Sequence, residues 1–113
     1  MVTSSARWLV LLACVIPSGT SVSAAEQQAP SHTRIVMIEG LQFNPQELTV
    51  HRGDRVVWVN KDLFPHTVTA DTKAFDSRSI AANASWSYAT SKPGEYTYSC
   101  TFHPTMKGKI TVQ

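Results

Sequence analysis

Short β-rich segments separated by turn-forming residues occupy most of this chain, and no stretch repeats apolar residues at a helical period. The clearest segment is Arg55–Asn60 (RVVWVN), which follows a turn, and the segment Glu95–Cys100 likewise follows Lys92-Pro93-Gly94. Other segments of this character are Arg34–Glu39, Glu47–Val50, His66–Ala70, Ser85–Thr90 and Lys109–Gln113. Seven to eight short strands at near-regular spacing indicate an all-β domain. We therefore expect an antiparallel Greek-key β-sandwich or barrel.

The start of the chain has the composition of a signal peptide rather than of a folded element. Arg7 supplies a positive charge, residues 8–16 form an apolar core, and small residues follow. Cleavage after Ala24 or after Ala25 fits these small residues equally well. A single Arg rather than a pair favours the Sec route. We expect residues 1–25 to be cleaved on export to the periplasm.

The remaining chain consists of a leader and one domain. Residues 26–33 are polar, contain a proline and are expected to be a disordered leader, whereas residues 34–113 are expected to fold. Removal of the signal peptide takes Cys14 with it; a lipid anchor on Cys14 remains a minority interpretation, because the apolar run before it is short. Cys100 is then a single cysteine in an oxidising compartment, so a metal, a partner chain or burial must account for it.

Charge and length exclude several classes of function. Among 113 residues, ten Lys and Arg oppose eight Asp and Glu, which gives a net charge of +2 without any basic run. Nucleic-acid binding requires a concentrated basic surface that this chain lacks. The longest apolar run, Trp8 to Pro17, is roughly half of what a helix needs to cross a bilayer. We expect one domain that binds no nucleic acid and spans no membrane.

The string Cys100-x-x-His103-x-x-Met106, directly after a predicted strand, carries the chemical signal. Thiolate, imidazole and thioether form a soft donor set that suits copper, whereas calcium and magnesium prefer oxygen and zinc rarely takes methionine. His66 offers a second imidazole after the loop that follows Arg55–Asn60. Taken singly, the same residues also fit a buried cysteine, a surface histidine and a core methionine.

Strand direction decides whether these side chains meet. The loop before His66 and the loop after Cys100 each follow a strand. If both loops lie at one end of the sandwich, His66, Cys100, His103 and Met106 converge there. Two imidazoles and a thiolate with a weak axial thioether form the blue-copper arrangement that transfers electrons. We expect these four residues to hold one copper ion.

Motifs spread over residues 34–113 carry a family resemblance. They are Phe43-x-Pro45, Gly53-Asp54-x-Val56-x-Trp58-x-Asn60, Pro65-His66, Pro93-Gly94-x-Tyr96-x-Tyr98-x-Cys100-Thr101 and His103-Pro104-x-Met106-x-Gly108-x-Ile110-x-Val112. In these residues the chain resembles the cupredoxins, most closely the amicyanin and plastocyanin group. The resemblance implies a type 1 copper site and one-electron transfer between periplasmic redox proteins.

Two positions depart from this family pattern. Thr67 stands where the family usually has an Asn that ties two loops together, so the firmness of that tie is in question. Phe102 stands where amicyanins carry Pro. Because Phe102 has a backbone N–H and proline does not, this amide is a candidate donor to the Cys100 sulfur.

The expected function is a mobile periplasmic electron carrier, and not an enzyme, since four protein ligands leave no open position for a substrate. The alternative is a periplasmic copper chaperone or storage protein that uses the same ligands. The resemblance implies that electrons leave through His103 and that redox partners dock on an apolar patch around it. That patch is expected to consist of Phe64, Pro65, Phe102 and Pro104 on a monomeric protein.

Overall fold

The computed structural model describes residues 10–19 and 30–113, and the strands within them form two four-stranded sheets. In chain order the strands are β1 (Thr33–Glu39), β2 (Gln42–Asn44), β3 (Glu47–Val50), β4 (Arg55–Asn60), β5 (Thr69–Ala70), β6 (Ser85–Ala89), β7 (Gly94–Cys100) and β8 (His103–Val112). One sheet has the order β2-β1-β4-β6 and the other β3-β8-β7-β5. No helix occurs in these ranges, so the expected all-β sandwich is confirmed.

The sheets are mixed rather than purely antiparallel. Strand β1 pairs in parallel with β4, and β3 pairs in parallel with β8, while the other pairs are antiparallel. Between β1 and β4 the chain passes through β3 of the opposite sheet and returns in its original direction. The expectation of antiparallel pairing is therefore right for most pairs and wrong for these two.

The core lies between the sheets and follows the alternation of apolar residues along the strands. In β4, Val56, Trp58 and Asn60 point inwards, and the residues between them are more exposed. Trp58 is fully buried, and its Nε1 donates a hydrogen bond to the Tyr98 hydroxyl of the opposite sheet at 3.2 Å. This bond satisfies the indole N–H inside the core, where an unpaired donor is costly. Trp58 is thus a core residue.

Strand boundaries differ from expectation by more than one residue at three places. Strand β2 was not expected, because three residues are too few to show alternation. Of the segment expected over 66–70, only Thr69–Ala70 joins a sheet, since His66 pairs instead with Ile80 in an isolated antiparallel bridge. Strand β8 begins at His103 rather than at residue 109, and so it contains much of the predicted ligand string.

Part of the predicted targeting region lies outside the described residues. Residues 1–9 and 20–29 hold the charged start, the cleavage region and the first half of the predicted leader. From residue 32 onwards the chain is tied to the domain, because the His32 amide donates to the Asp54 carboxylate at 2.9 Å. Among residues 10–19 and 30–113, no helix has the length and apolar character needed to cross a membrane.

Candidate metal centre

The predicted ligands lie at one end of the sandwich, where β7 turns into β8. The register of this pair changes at the turn: Ser99 lies opposite Lys107, but Cys100 lies opposite His103. Three additional residues, 104–106, are therefore accommodated on the β8 side. This irregularity lets β8 supply His103 directly across from Cys100 and then return to regular pairing.

Three of the four predicted side chains present their donor atoms to one another. The Cys100 sulfur lies 3.6 Å from Nδ1 of His66 and 3.8 Å from Nδ1 of His103. One donor atom from each residue lies within 4.8 Å of the other two. Cys100 and His66 are fully buried and His103 is half-buried. The loop before His66 and the loop after Cys100 therefore lie at the same end of the sandwich, which was the condition for these side chains to meet.

These separations fit a single small metal ion. Nitrogen and thiolate donors lie about 2.0–2.3 Å from ions of the size of zinc. Donors at such distances in a trigonal plane are about 3.6 Å apart, by triangle geometry from the same bond lengths. The spacings of 3.6 and 3.8 Å therefore need no large rearrangement to enclose an ion. The thiolate and imidazole chemistry of the set suits copper.

His66 is oriented by a carboxylate that the sequence did not single out. Its Nε2 lies 2.7 Å from Oδ2 of Asp62, so this nitrogen donates there and leaves Nδ1 free to face Cys100. Burial raises the pKa of Asp62, but hydrogen bonds from His66 and from the amides of Leu41 and Gly40 outweigh it and lower the pKa overall. Asp62 is thus an ionised acceptor that fixes the ring. Its partners in the β1–β2 turn are more than twenty residues away in sequence, so no local pattern indicates this role.

Hydrogen bonds to backbone groups hold the segment before His66. The buried Asn60 side chain donates to the carbonyls of Phe64 at 2.9 Å and Ile80 at 3.0 Å, and it accepts from the Asp62 amide at 3.0 Å. His66 and Ile80 also exchange two backbone hydrogen bonds, of 3.1 and 2.7 Å. The loop that precedes His66 is therefore anchored at both of its ends before any metal binds.

Thr67 ties the two ligand-bearing segments together. Its amide donates to the Cys100 sulfur at 3.3 Å, and its hydroxyl accepts from the Thr101 amide at 2.8 Å. The shorter Thr67 side chain thus bridges the loops despite the departure from the family pattern. In the described part of the chain the amide donor to the sulfur is Thr67, and Phe102 makes no such hydrogen bond. The Phe102 amide is therefore not the donor that the sequence had made a candidate.

Met106 is buried at 3% exposure, three residues beyond His103 on β8. The register change between β7 and β8 places it in the extra segment at the ligand end of the sandwich. Met106 is also a member of the buried core cluster, and its role as a ligand stays a prediction. A weak axial ligand of this kind adjusts the reduction potential more than it holds the ion.

The surface above His103 is apolar. Phe64 and Phe102 are 42% and 52% exposed, and Pro65 and Pro104 are also exposed. The Phe64 ring packs against both imidazoles, with centroid distances of 5.1 Å to His66 and 5.6 Å to His103. A further neighbour that the sequence reasoning missed is Leu63, which is 90% exposed next to Phe64. Large exposed apolar side chains around one half-buried imidazole are typical of a contact surface.

Comparisons with known proteins agree with this geometry. A family model described as a cupredoxin-like domain matches residues 8–112. The chain is 33% identical to amicyanin-alpha from Methylorubrum extorquens over 79% of each chain, and 33% identical to plastocyanin from a Synechococcus species over 92% of this chain and 90% of that protein. The solved structure of an amicyanin mutant in its Cu(I) form superposes with a TM-score of 0.67 at 30% identity, covering 86% of this chain and 95% of the other.

Proposed function

This chain belongs to the cupredoxin-like family, and from that premise we propose that it is a periplasmic one-electron carrier with a type 1 copper site. The ligands are His66, Cys100 and His103 in a plane, with Met106 as the weak axial ligand. The observation that carries the proposal is the cluster of one sulfur and two imidazole nitrogens with spacings of 3.6 and 3.8 Å. This set contains two buried residues and one at the surface, so it can hold an ion away from water and still lie near a partner.

The residues of this chain prepare the site for fast electron transfer by holding the donors in place. Bound copper supplies the couple between Cu(I) and Cu(II). Asp62 fixes the His66 ring, and Thr67 donates to the Cys100 sulfur. Asn60 anchors the loop that precedes His66. Donors held by such partners move little when the charge at the centre changes, so little energy is spent on rearrangement at each transfer.

His103 is the route for electrons between the centre and a partner, because it is the ligand with partial exposure. The docking patch consists of Phe64, Pro65, Phe102 and Pro104, extended by Leu63. Such a patch releases water on contact and carries no charge that would bind a partner strongly. Small contact areas of this kind suit redox proteins that must dissociate after each transfer. The carrier itself is proposed to be a monomer.

The periplasmic location rests on the predicted signal peptide at residues 1–25. Export places the domain in an oxidising compartment, where the buried Cys100 thiolate is protected when it ligates a metal. Sequencing the amino terminus of the protein recovered from the periplasm distinguishes cleavage at residues 24 or 25 from lipidation at Cys14. An unprocessed chain in the cytoplasm would contradict the location.

The absorption spectrum of the copper-loaded protein, before and after a mild reductant, tests the function. An intense visible band that bleaches and returns is expected, and Cys100→Ser should abolish it, since the band depends on the thiolate. Met106→Gln is the matched control: it should keep copper and colour but change the reduction potential. A colourless protein that binds only Cu(I) would contradict the carrier and favour copper delivery or storage. A Met106→Gln variant without copper would contradict the axial role.

Electron self-exchange between two copies tests the docking patch without an identified partner. Leu63→Lys should slow self-exchange, because two like charges then meet at the contact surface. Ile35→Lys adds the same charge at a 57% exposed position on β1, outside the patch, and should leave the rate near that of the unmodified protein. Equal slowing by both variants would mean that overall charge, and not the patch, controls the encounter.

A further inference from the structure

A line of hydroxyl groups leads from the ligand-bearing segments to a carboxylate on the surface. The Thr67 hydroxyl lies 3.1 Å from that of Thr101 and 3.1 Å from that of Thr69. Thr69 in turn donates to Oδ1 of Asp76 at 3.3 Å. Thr67 and Thr69 are each 4% exposed, whereas Asp76 and Thr101 are exposed. The line therefore crosses a buried stretch between two surface ends.

The carboxylate at one end sets the direction of every hydrogen bond in this line. The Arg78 amide, which donates to Oδ1 at 2.9 Å, lowers the pKa of Asp76 more than burial raises it, and the Thr69 hydroxyl lowers it further. An ionised carboxylate only accepts, so the Thr69 hydroxyl must donate to it. The Thr69 oxygen is then free to accept from Thr67.

Because Thr67 gives its one proton to Thr69, its oxygen can accept two hydrogen bonds from Thr101. One comes from the Thr101 amide at 2.8 Å and the other from the Thr101 hydroxyl at 3.1 Å. Thr101 directly follows Cys100, and Thr67 directly follows His66. Each junction between the two segments is therefore adjacent to a proposed ligand.

We propose that Thr69 and Asp76 are positioning residues for the metal centre. Through Thr67 they fix the direction of these hydrogen bonds, here called the hydroxyl chain, and so hold the two ligand-bearing segments together. The inference rests on the proposed copper function. It adds Thr69 and Asp76 to the residues that support the metal centre, although the side chains of these two residues form no hydrogen bond with a proposed ligand.

The hydroxyl chain acts on the Cys100 sulfur through the Thr67 amide, which donates to it at 3.3 Å. A hydrogen bond to a thiolate withdraws electron density and favours Cu(I), and so it raises the reduction potential. Without an acceptor at Thr69, the Thr67 hydroxyl donates to the Thr101 oxygen instead, so the bond between these two hydroxyls reverses, and Thr67 loses its tie to Thr69 and Asp76. The segment that carries Thr67 is then held less firmly, the hydrogen bond from the Thr67 amide to the sulfur lengthens, and the reduction potential falls.

The pair Thr69→Val and Thr69→Ser tests this. Valine keeps the volume of threonine but removes the hydroxyl, whereas serine keeps the hydroxyl. We expect Thr69→Val to lower the reduction potential and, in the metal-free protein, to speed amide hydrogen exchange at Thr67 and Thr101 several-fold. Thr69→Ser should stay close to the unmodified protein in both measurements, even if the lost methyl group lowers its stability.

A potential and exchange rates unchanged in Thr69→Val would overturn the proposal, and so would equal shifts in the Val and Ser variants. Exchange in the metal-free protein separates this outcome from failure of the copper function, because it is measured without copper. If Thr69→Val does not fold, Asp76→Ala and Asp76→Asn at the exposed end give the same comparison. The alanine variant loses the acceptor oxygen and should shift both readouts, while the asparagine variant retains that oxygen and should shift neither.

Discussion

Replacing Asp62 by alanine removes a carboxylate whose two oxygens accept three hydrogen bonds. Oδ2 accepts from Nε2 of His66 at 2.7 Å and from the Leu41 amide at 3.1 Å, and Oδ1 accepts from the Gly40 amide at 2.8 Å. Leu41 has a φ of 59°, a left-handed conformation that is unfavourable for a leucine, so the carboxylate also supports a strained turn. Asp62→Ala thus releases both the ring of a proposed ligand and the turn between β1 and β2.

The size of the effect follows from the burial of each bond. The His66 bond is part-buried, and hydrogen bonds to charged groups contribute about 1.5–3 kcal/mol each. The two turn amides are exposed and can bind water instead, so each contributes roughly 0.5 kcal/mol. We expect Asp62→Ala to lower the free energy of unfolding of the metal-free protein by about 3 kcal/mol, a large part of the 5–15 kcal/mol typical of a domain. Copper affinity should fall about 10–100-fold, as when other groups that orient a metal ligand are removed.

Denaturant unfolding followed by tryptophan fluorescence measures the stability, and competition with a copper chelator measures the affinity. Asp71→Ala is the matched control, because it removes an exposed carboxylate that accepts one hydrogen bond, from Thr97 at 2.6 Å. This control should cost less than about 1 kcal/mol and leave copper affinity unchanged. Asp62→Asn, with one acceptor oxygen, should fall between the two extremes. If Asp62→Ala matched Asp71→Ala in copper affinity, Asp62 would not orient His66.

Three further outcomes follow from the core and from the opposite end of the sandwich. Gly108→Ala should destabilise the fold by about 1–3 kcal/mol in thermal unfolding, since the added Cβ would overlap the buried Tyr98 ring. Wild-type stability would show that the ring moves freely. Tyr98→Phe leaves the Trp58 N–H unpaired and should cost about 1–3 kcal/mol. Burial raises the pKa of Tyr98 to about 12 from 10.0, so the stability that its protonated hydroxyl contributes is complete below pH 10 and is lost as pH rises through 12. The stability of Tyr98→Phe should lack this alkaline loss. An identical alkaline profile in both proteins would contradict the assignment. Hydrogen bonds from the amides of His32 and His51 lower the pKa of Asp54 below 3.8, so the stability that its carboxylate contributes is present above pH 3.8 and is lost as pH falls through the pKa of the folded state. Asp54→Asn should therefore make stability depend less on pH in this acid range. An unchanged dependence of stability on pH would refute that.

The fold was predictable where side chains alternate along a strand. The segment Arg55–Asn60 has the predicted bounds, because three inward side chains alternate with three outward ones. The segment 66–70 was only partly right, since His66 pairs with Ile80, and pairing over that distance leaves no local pattern. The parallel pairs were missed for the same reason: alternation shows which face is buried but not which strand lies beside it.

The candidate centre followed from residue chemistry, but its support did not. The spacing of Cys100 and His103 and the loop before His66 were enough to predict that their donor atoms meet. Asp62 was missed because the amides that hold its carboxylate against His66 come from the distant β1–β2 turn, and nothing in the sequence connects that turn with Asp62. The sequence shows that Thr67 departs from the family pattern but not whether Thr67 still joins the two loops, because the partner of a hydroxyl is fixed only by the fold.

The position of β8 in its sheet governs the order in which the molecule can be assembled. Although β8 follows the other seven strands in the chain, it lies between β3 and β7 and is paired with both. Until β8 has been synthesised, β3 has no partner in its sheet, and His103 and Met106 do not yet exist to join His66 and Cys100. The pairing of β3 with β8 joins distant parts of the chain and therefore forms slowly, so this sheet is completed only when β8 is present. On the proposed export route, copper is enclosed only after β8 has crossed the membrane, because His103 and Met106 lie on that strand.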